Sequence, residues 1–249
     1  MTLPLQNQTL LITGAARRVG AALALACGRA GANIILHYHL SDPSETLAQL
    51  RALPDIRAEV VNGPLDSAED ALKLFDAAQR IQPVTGLINN AARFSTSSLA
   101  EAKPEETLAL WQTNTLAPLA LMQAFYKINH SRPFAPFDGK KKDLNYSILN
   151  LLDTRITRPA QTPVYTATKS ALAQLTLAAA VEFAPRIRVN AIAPGPVLVP
   201  THAREKAGSL LLAQRPTLDD LCAAALYLLT APSVTGQILY VDGGQHLIK

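Results

Sequence analysis

Short apolar runs alternate along this chain with longer segments in which apolar residues recur at helical spacing. Runs of this length predict buried strands, and the alternation is typical of βαβ units around a parallel sheet. The predicted strands are residues 10–13, 33–38, 56–61, 86–90, 146–152, 188–192 and 237–241. The pattern therefore predicts an α/β fold in which helices flank a doubly wound, seven-stranded parallel sheet.

Six segments of helical period connect these strands. They span residues 19–31, 43–53, 67–81, 104–129, 164–183 and 217–230. Gly31 suits a helix end and Ser67 an N-cap, and Pro118 is expected to bend the long fourth helix because it lacks a backbone donor. Prolines, a glycine and three lysines predict a surface excursion at residues 131–144. Because no repeat or internal linker interrupts the pattern, we expect a single domain over residues 1–249.

Composition narrows the class of protein. Hydrophobic residues make up 49% of the 249 residues and charged residues 17%, which excludes a disordered chain. The net charge of +4 is too small for a dedicated nucleic-acid binder, and no apolar run reaches the length of a membrane span. Cys27 and Cys222 stand apart from any CxxC pattern or histidine cluster, so we expect neither a disulfide framework nor a metal site. The N-terminus lacks a signal-peptide pattern, and the expected location is the reducing cytoplasm.

Ligands of such a sheet bind beyond the carboxyl ends of its strands. The first strand is followed by a turn rich in small residues that opens a helix. Backbone N–H groups and the helix dipole can approach a phosphate there. The predicted cofactor-binding residues of this turn are Gly14, Arg18, Val19 and Gly20. The GxGxxG pattern is absent because Arg18 stands where a middle glycine is expected, and a plain tight turn is the alternative interpretation.

The second strand ends without the acid that usually binds the ribose 2′-hydroxyl of NAD. With Arg18 close by and Ser41 as a donor, a 2′-phosphate would meet hydrogen bonds and positive charge at this end. NADPH is therefore the predicted cofactor rather than NADH. The residues assigned to it here are His37, Tyr38, His39 and Ser41. The alternative is that the two histidines are ordinary strand residues.

Polar residues also follow the third and fourth strands. Asp66 can accept a hydrogen bond from the adenine amine or, alternatively, cap the next helix. Asn89, Asn90 and Ala91 offer side-chain amides and a small side chain beside the cofactor groove, where they can brace turns without blocking a ribose. Asn90 and Ala91 are therefore assigned to the cofactor, with an ordinary asparagine turn as the alternative.

The sixth strand leads into Pro194 and Gly195, a stiff turn whose backbone can face the nicotinamide carboxamide. The segment that follows lacks strong periodicity. Loops of this kind often cover a substrate, so we expect residues 196–212 to form a substrate loop.

The fifth strand ends at Asp153, and Tyr165 begins a helix that also carries Lys169. Residues i and i+4 share a helix face, so the phenol and the ammonium point into the same space. A neighbouring cation and a positive nicotinamide ring are expected to lower the pKa of the phenol from about 10, which makes Tyr165 the predicted proton donor. This spacing is by itself common on solvated helix faces, and the glycine turn and the asparagines give it weight.

Together these motifs resemble the short-chain dehydrogenase/reductase family over almost the whole chain. The matching motifs are Thr13-Gly14, Asn89-Asn90-Ala91, Asn114, Tyr165-x-x-x-Lys169, Pro194-Gly195 and Asp242-Gly243-Gly244. The resemblance implies a Rossmann-type sheet, a nicotinamide cofactor and a homotetramer built on the long helices. It also implies a catalytic set in which Asn114 supports a water chain to Lys169. Asp153 departs from the family, because it stands on or beside a serine position where a carboxylate would repel the oxyanion of an ordinary ketone reduction.

That departure is similar to the pteridine reductase branch, including the dihydromonapterin reductase type. The other matching stretches are Thr13-Gly14-Ala15-Ala16-Arg17-Arg18-Val19-Gly20, Leu36-His37-Tyr38-His39 and Asn145-Tyr146-Ser147. The resemblance implies that Asp153 pairs with the tyrosine and that Phe94 stacks on a pterin held against the nicotinamide. The alternative for Phe94 is an ordinary core position.

The predicted function is that of an NADPH-dependent reductase of dihydropterins or dihydrofolate-like compounds. Catalysis is assigned to Asp153, Tyr165, Lys169 and Asn114, and substrate contacts to Arg18, Phe94, Asp153 and Tyr165. One alternative is a carbonyl reductase acting on a keto group such as that of a 3-oxoacyl thioester. The other is a catalytically idle NADP-binding regulator or scaffold. No nucleic-acid, membrane or metal partner is expected.

Overall fold

The computed structural model describes residues 3–130, 146–158, 162–198 and 210–248. Within them, seven parallel strands form one sheet in the order 3-2-1-4-5-6-7. The strands are β1 (Thr9–Ile12), β2 (Asn33–Tyr38), β3 (Ala58–Asn62), β4 (Gly86–Asn89), β5 (Tyr146–Leu151), β6 (Ile187–Pro194) and β7 (Ile238–Val241). The predicted seven-stranded parallel sheet is confirmed.

Helices cover both faces of the sheet. They are α1 (Arg18–Arg29), α2 (Ser44–Arg51), α3 (Ala68–Ile81), α4 (Pro104–Trp111), α5 (Ala117–His130), α6 (Pro163–Glu182) and α7 (Leu218–Thr230). Buried side chains of α1, α2 and α7 form one core with the sheet, and those of α3, α5 and α6 form a second core on the opposite face. The molecule therefore has the doubly wound α/β architecture that the sequence predicts.

The central strands contribute side chains to both cores. Leu10 and Ile12 of β1 belong to the core beside α1, whereas Leu11 belongs to the core beside α3, and Ile35 of β2 lies with Leu11. A strand covered on both faces has no polar side, so it reads as a continuous apolar run. This is the physical reason why the strands are visible in the sequence.

Several local signals in the sequence are confirmed. Ser67 is the N-cap of α3, and its hydroxyl accepts a hydrogen bond of 3.0 Å from the backbone N–H of Asp70. Gly31 follows α1 with a φ of +94°, in the left-handed region that favours glycine. β2 has the predicted bounds, and the bounds of the other elements lie within two residues of the predicted ones, except for the helix predicted over residues 104–129.

The helix predicted over residues 104–129 is interrupted. Between α4 and α5 the chain makes a π-helical turn, Gln112–Leu116, in which the Ala117 N–H bonds to the Gln112 carbonyl five residues back. Pro118 follows, without a backbone N–H of its own. The irregularity that Pro118 predicted is therefore a widened turn that ends just before the proline.

Parts of the predicted loops lie outside the described residues. These are the expected surface excursion at 131–144 and residues 199–209 of the expected substrate loop. Two short 3₁₀ turns, Thr154–Thr157 and Gln245–Leu247, are additional to the predicted elements. Among the helices that the structure describes, none is both long and apolar enough to cross a membrane. Within all the residues that the structure describes, no three or more histidine, cysteine, aspartate or glutamate side chains are grouped so that they could hold a metal ion.

Candidate active site

A cleft of about 1560 Å³ lies at the carboxyl ends of the strands. It crosses the ends of β1 and β4, which are neighbours in the sheet although the chain leaves them towards opposite edges. Open α/β sheets bind ligands at such a switch point. The predicted site residues that line the cleft are Gly14, Arg18, Val19, Gly20, His37, Tyr38, His39, Ser41, Asp66, Asn90, Ala91, Phe94, Asp153, Tyr165, Lys169, Pro194 and Gly195.

The turn after β1 carries its backbone close to the cleft. Gly14 has a φ of +64° and Arg18, the first residue of α1, a φ of +56°, so both adopt the left-handed conformation that favours glycine. A Cβ atom at Gly20 would overlap the Gly14 carbonyl oxygen and lie 2.7 Å from Asn90 Nδ2. The turn is therefore a close-packed cradle at the N-terminus of α1. Arg18 takes up the backbone conformation of the glycine that the sequence lacks.

Hydrogen bonds tie the ends of β1 and β4 together at this cradle. The Thr13 hydroxyl oxygen accepts from the backbone N–H groups of Asn90 at 2.9 Å and Ala91 at 3.0 Å. In return, Asn90 Nδ2 donates to the carbonyls of Thr13 at 2.8 Å and Gly14 at 3.1 Å. Asn90 thus braces two strand ends and is more than a local turn residue. Thr13 carried no predicted role, and its only signal in the sequence is its place before Gly14.

The His37 ring supports the glycine turn from the neighbouring strand. Its Nδ1 atom accepts from the Gly14 N–H at 3.1 Å, and its Nε2 atom lies 3.0 Å from the Gly63 carbonyl. Burial lowers the pKa of His37 to about 4, so the ring is neutral at physiological pH. With both nitrogens engaged, His37 has none left for a phosphate. Its contribution to the predicted phosphate site is to hold Gly14 in place.

The cleft wall after β2 is polar and open to solvent. Tyr38 and Ser41 are half-buried, His39 is exposed, and two exposed arginines of the β1–α1 turn, Arg17 and Arg18, line the same cleft. No carboxylate occurs in residues 37–41. Arginines and a hydroxyl are the donors that bind a phosphate well. Arg17 was not among the predicted residues.

Asp66 forms an ion pair beside the cleft. Its carboxylate accepts from Arg93 Nη2 at 2.8 Å, and Arg93 Nε donates to the Thr113 hydroxyl at 3.1 Å. The alternative that Asp66 caps α3 is wrong, because Ser67 performs that role. Asp66 as an adenine contact stays a prediction. Arg93, which links the loops after β3 and β4, was not predicted.

The structure brings Asp153 and Tyr165 together, as the resemblance described above implies. The Tyr165 hydroxyl donates to Asp153 Oδ2 at 3.1 Å. The same carboxylate accepts from the Arg155 backbone N–H at 2.8 Å and from Arg155 Nη1 at 3.0 Å. Arg155, two residues after Asp153, was missed because nothing in its spacing distinguishes it from a surface arginine.

The expected lowering of the Tyr165 pKa is wrong for the chain as it stands. Burial raises the pKa of Tyr165 well above its usual value, and the Asp153 carboxylate raises it further by its charge and by accepting the phenol's hydrogen bond. The Arg155 charge acts in the opposite direction. Burial lowers the pKa of Lys169 to about 8, and its Nζ donates to the Leu151 carbonyl at 2.7 Å. At neutral pH the phenol is protonated and Lys169 is mostly a cation.

Asn114 lies in the π-helical turn, fully buried behind the cleft wall. Its Oδ1 atom accepts from the Arg93 N–H at 2.8 Å, and its Nδ2 atom donates to the Arg93 carbonyl and to the Thr168 hydroxyl. The side chain therefore joins the turn to the β4 loop and to α6. Pro118 has no N–H to offer to the Asn114 carbonyl four residues earlier. The role of Asn114 in a water chain to Lys169 stays a prediction.

Phe94 stands beside the phenol and faces the cleft. Its side chain is 54% exposed, so the alternative of a core position is wrong. The ring meets Tyr165 edge-on with centroids 4.9 Å apart, and the Arg155 guanidinium lies 5.3 Å from its centre. An exposed flat ring at this place suits stacking against a planar ligand.

The turn after β6 packs against the C-terminal segment. The Gly195 N–H donates to the Val241 carbonyl at 2.9 Å, and a Cβ atom at Gly195 would lie 2.8 Å from Asp242 Cβ. Asp242 accepts a hydrogen bond of 2.6 Å from the Thr154 hydroxyl, next to Asp153. The C-terminal motif is therefore part of the scaffold that holds this end of the cleft.

Comparison with known proteins shows what the chain is similar to. A family model described as enoyl-(acyl carrier protein) reductase matches residues 14–246. Pteridine reductase 1 of Leishmania tarentolae is 28% identical over 96% of both chains. The 3beta-hydroxysteroid dehydrogenase 1 of Eggerthella lenta is 30% identical over 98% of this chain and 95% of its own. The crystal structure of FolM alternative dihydrofolate reductase 1 from Brucella canis complexed with NADP superimposes with a TM-score of 0.85 at 28% identity, covering 100% of this chain and 97% of that one.

Proposed function

The chain belongs to the short-chain dehydrogenase/reductase family, and from this premise we propose that it is an NADPH-dependent reductase of pterins. The substrate class comprises dihydropterin, dihydromonapterin and dihydrofolate-like compounds. The observation that carries the proposal is the Asp153 carboxylate bonded to the Tyr165 hydroxyl at 3.1 Å inside the cleft. The exposed Phe94 ring beside this pair supports a flat heteroaromatic substrate.

The residues of the cleft fit NADPH. The close-packed turn from Gly14 to Gly20 lies at the N-terminus of α1, where a pyrophosphate is stabilised by backbone N–H groups and the helix dipole. Arg17 and Arg18 with Ser41 would hold the 2′-phosphate, since no carboxylate follows β2. The crystal structure of the similar Brucella canis protein is of a complex with NADP, which supports this choice of cofactor.

When bound, the nicotinamide supplies the hydride that reduces a ring carbon of the substrate. Tyr165 donates a proton to the adjacent ring nitrogen, and its raised pKa keeps that proton in place until then. Asp153 orients the hydroxyl by accepting its hydrogen bond. The Lys169 ammonium stabilises the phenolate that the transfer leaves, and Asn114 holds the π-helical turn against α6.

The position of Asp153 argues against ordinary ketone reduction. That reaction develops negative charge on the substrate oxygen, beside which a carboxylate would be destabilising. A pterin takes its proton on a ring nitrogen and carries N–H donors that a carboxylate can accept. The similarity to a 3beta-hydroxysteroid dehydrogenase makes carbonyl chemistry the appropriate competing substrate class in the test.

The test is to mix purified protein and NADPH with dihydrobiopterin, dihydrofolate or a 3-oxoacyl thioester and to follow NADPH absorbance. We expect oxidation with the pterins. Oxidation with the thioester alone would overturn the pterin proposal and identify a carbonyl reductase. Tight NADPH binding without turnover of any substrate would identify an idle binding protein. The Tyr165→Phe variant is the control for contaminating reductases, because it should bind NADPH and turn over nothing.

We also infer that chains of one domain assemble into a homotetramer through the long helices. Apolar side chains exposed on α4, the π-helical turn and α6 support this arrangement: Leu108, Leu116, Leu177 and Val181. Light scattering should give four times the mass of one chain. The Val181→Glu variant should give a smaller species with the same helical content.

The cytoplasm is the compartment that we propose for the protein. Cys27 and Cys222 are both free and buried. Free thiols fit a reducing compartment. Fractionation of expressing cells, with activity expected in the cytoplasmic fraction, tests this location.

A further inference from the structure

We propose that Arg155 is a positioning residue for the Asp153–Tyr165 pair, fixing the carboxylate against the phenol and balancing its negative charge during proton delivery. The proposal rests on the proposed reductase function, because it assigns Arg155 a part in that proton transfer. It adds a residue that none of the sequence motifs contains.

Arg155 contacts both side chains that touch the phenol, Asp153 and Phe94. Its Nη1 atom lies 3.0 Å from Asp153 Oδ2, the same oxygen that accepts from the Tyr165 hydroxyl. Its guanidinium also lies 5.3 Å from the centre of the Phe94 ring, and Phe94 in turn contacts Tyr165 at 4.9 Å. Asp153, Tyr165, Phe94 and Arg155 therefore form a closed ring of contacts. Without the guanidinium, Asp153 Oδ2 loses one of the donors that hold it beside the phenol, while the Arg155 backbone N–H still holds Oδ1.

The Asp153–Arg155 ion pair is partly shielded from water, which strengthens the interaction between its charges. The side chain of Asp153 is 14% exposed and that of Arg155 24%, so water screens their interaction less than at an open surface. The charges of Asp153 and Arg155, from the segment after β5, act on the phenol, and the Asp153 charge also acts on the Lys169 ammonium of α6. Arg158, further along the first segment, bonds to the backbone carbonyls of Gln245 and Ile248.

Removing the Arg155 charge removes the cation that lowers the pKa of the Tyr165 phenol, whereas the Asp153 carboxylate, which raises the pKa of both the phenol and the Lys169 ammonium, stays in place. The pKa of both groups therefore rises. The phenol then becomes a weaker acid, and both groups keep their protons to higher pH. The expected signature is slower turnover, together with a pH–rate profile whose fall at alkaline pH (the alkaline limb) is shifted to higher pH.

The cap of the 3₁₀ turn does not depend on the Arg155 side chain. The 3₁₀ turn Thr154–Thr157 is capped through the backbone N–H of Arg155, which donates to Asp153 Oδ1. Substitution of the side chain keeps this bond. The Arg155 variants should therefore fold and bind NADPH as the unchanged protein does.

The experiment compares Arg155→Gln, which removes the charge, with Arg155→Lys, which keeps the charge but loses the planar fork. Arg51→Gln, at an exposed surface pair with Glu59, is the matched control. For Arg155→Gln we expect kcat with dihydropterin at pH 7 to fall about tenfold and the alkaline limb to rise by roughly half to one pH unit. Arg155→Lys should restore the limb and part of the rate. NADPH affinity and the thermal midpoint should stay unchanged in both variants.

Three results would overturn the role of Arg155. They are an unmoved pH profile in Arg155→Gln, equal behaviour of the Gln and Lys variants, and a loss of rate that follows a loss of NADPH affinity or thermal stability. Failure of the proposed function looks different, because the unchanged protein would then oxidise no NADPH with any pterin.

Discussion

Asp153 ends its strand where the phenol of Tyr165 can reach it, and the carboxylate accepts the phenol's hydrogen bond at 3.1 Å. One residue therefore changes both the charge beside the phenol and the pKa of the phenol. Its neighbours respond to that charge, since the same carboxylate opposes the effect of burial on the pKa of Lys169. Substitutions at these three positions separate their contributions.

Asp153→Ser should cripple pterin reduction and leave NADPH affinity unchanged. The serine cannot supply the negative charge or hold the phenol in the same way, so we expect kcat to fall by about 100-fold or more, the usual scale for a proton-transfer partner. Steady-state kinetics with dihydropterin and NADPH binding by fluorescence measure the two quantities. Unchanged turnover would remove Asp153 from catalysis.

The pKa of Lys169 predicts how activity depends on pH. This pKa of about 8 means that the ammonium loses its charge as the pH rises through that value. In the proposed mechanism, the phenolate left by proton transfer then loses its stabilising cation. We expect kcat to fall above pH 8. A pH–rate profile measures this, and a profile that stays flat to pH 10 would contradict it.

The lowered pKa of Lys169 also predicts that this residue supports activity while it decreases the stability of the fold. An unfolded chain binds this proton more tightly than the folded chain does, so the buried ammonium costs stability at pH 7, and the cost fades as the pH rises from about 8 towards 10.5. Lys169→Met should therefore be inactive yet more stable at neutral pH by about 1–3 kcal/mol, after the lost bond to the Leu151 carbonyl is included. Urea unfolding at pH 7 and pH 10 measures both values. A variant less stable than the unchanged protein at pH 7 would refute this.

The β1–α1 turn acts as one element. Thr13, Asn90 and His37 each hold part of its backbone, and Gly20 packs against the Gly14 carbonyl oxygen with no space for a side chain. Its shape is therefore fixed by neighbours on two other strands. This explains how the turn tolerates Arg18 in a left-handed conformation that usually requires glycine.

Gly20→Ala tests that element. The new methyl group would force the turn open, so we expect NADPH affinity to fall at least tenfold and the free energy of unfolding to fall by roughly 1–3 kcal/mol. Gly63→Ala is the matched control, because its Cβ would meet only Leu74 Cδ1 at 3.6 Å. Isothermal titration and thermal unfolding measure the two effects. Equal NADPH affinity in the two variants would show that the turn does not hold the cofactor.

The helix predicted over residues 104–129 contains an irregularity that the apolar spacing does not reveal. Its apolar spacing continues through residues 112–116, so the sequence predicts one helix, and a π-helical turn adds a residue without breaking that spacing visibly. Pro118 marks the place but not the form of the irregularity. The turn is decided by tertiary bonds, because the Asn114 amide joins the Arg93 backbone to Thr168.

At the scale of the whole molecule, the sheet brings the ends of distant segments into one cationic cleft. Arg17, Arg18, Arg93 and Arg215 line it, with Asp66 and Asp153 as the acids that this part of the structure supplies. Such a field favours a ligand with an additional phosphate. Binding to the folded state alone also stabilises the fold as a whole.

NADPH should therefore stabilise the protein more than NADH does at equal concentration. At 100 times the dissociation constant the gain is about 2.7 kcal/mol, or roughly 5–10 °C in Tm for a chain of this size. The difference between the two cofactors should shrink as salt is added, because salt screens the exposed arginines. Scanning fluorimetry at low and high ionic strength measures both effects. Equal shifts with the two cofactors would contradict the choice of NADPH.

The succession of strands and helices, the parallel sheet and the cleft at its carboxyl edge could all be predicted from the amino-acid sequence, because they follow from apolar periodicity and from the chirality of βαβ connections. The sequence also indicated most of the residues at the strand ends. Which of these residues meet depends on the three-dimensional fold. His37 turns its nitrogens to Gly14 and Gly63, Asp66 pairs with Arg93, and Arg155 shares a carboxylate oxygen with Tyr165. The direction of the Tyr165 pKa shift also depends on the three-dimensional fold, because burial and hydrogen-bond partners come from neighbours that lie far apart along the chain.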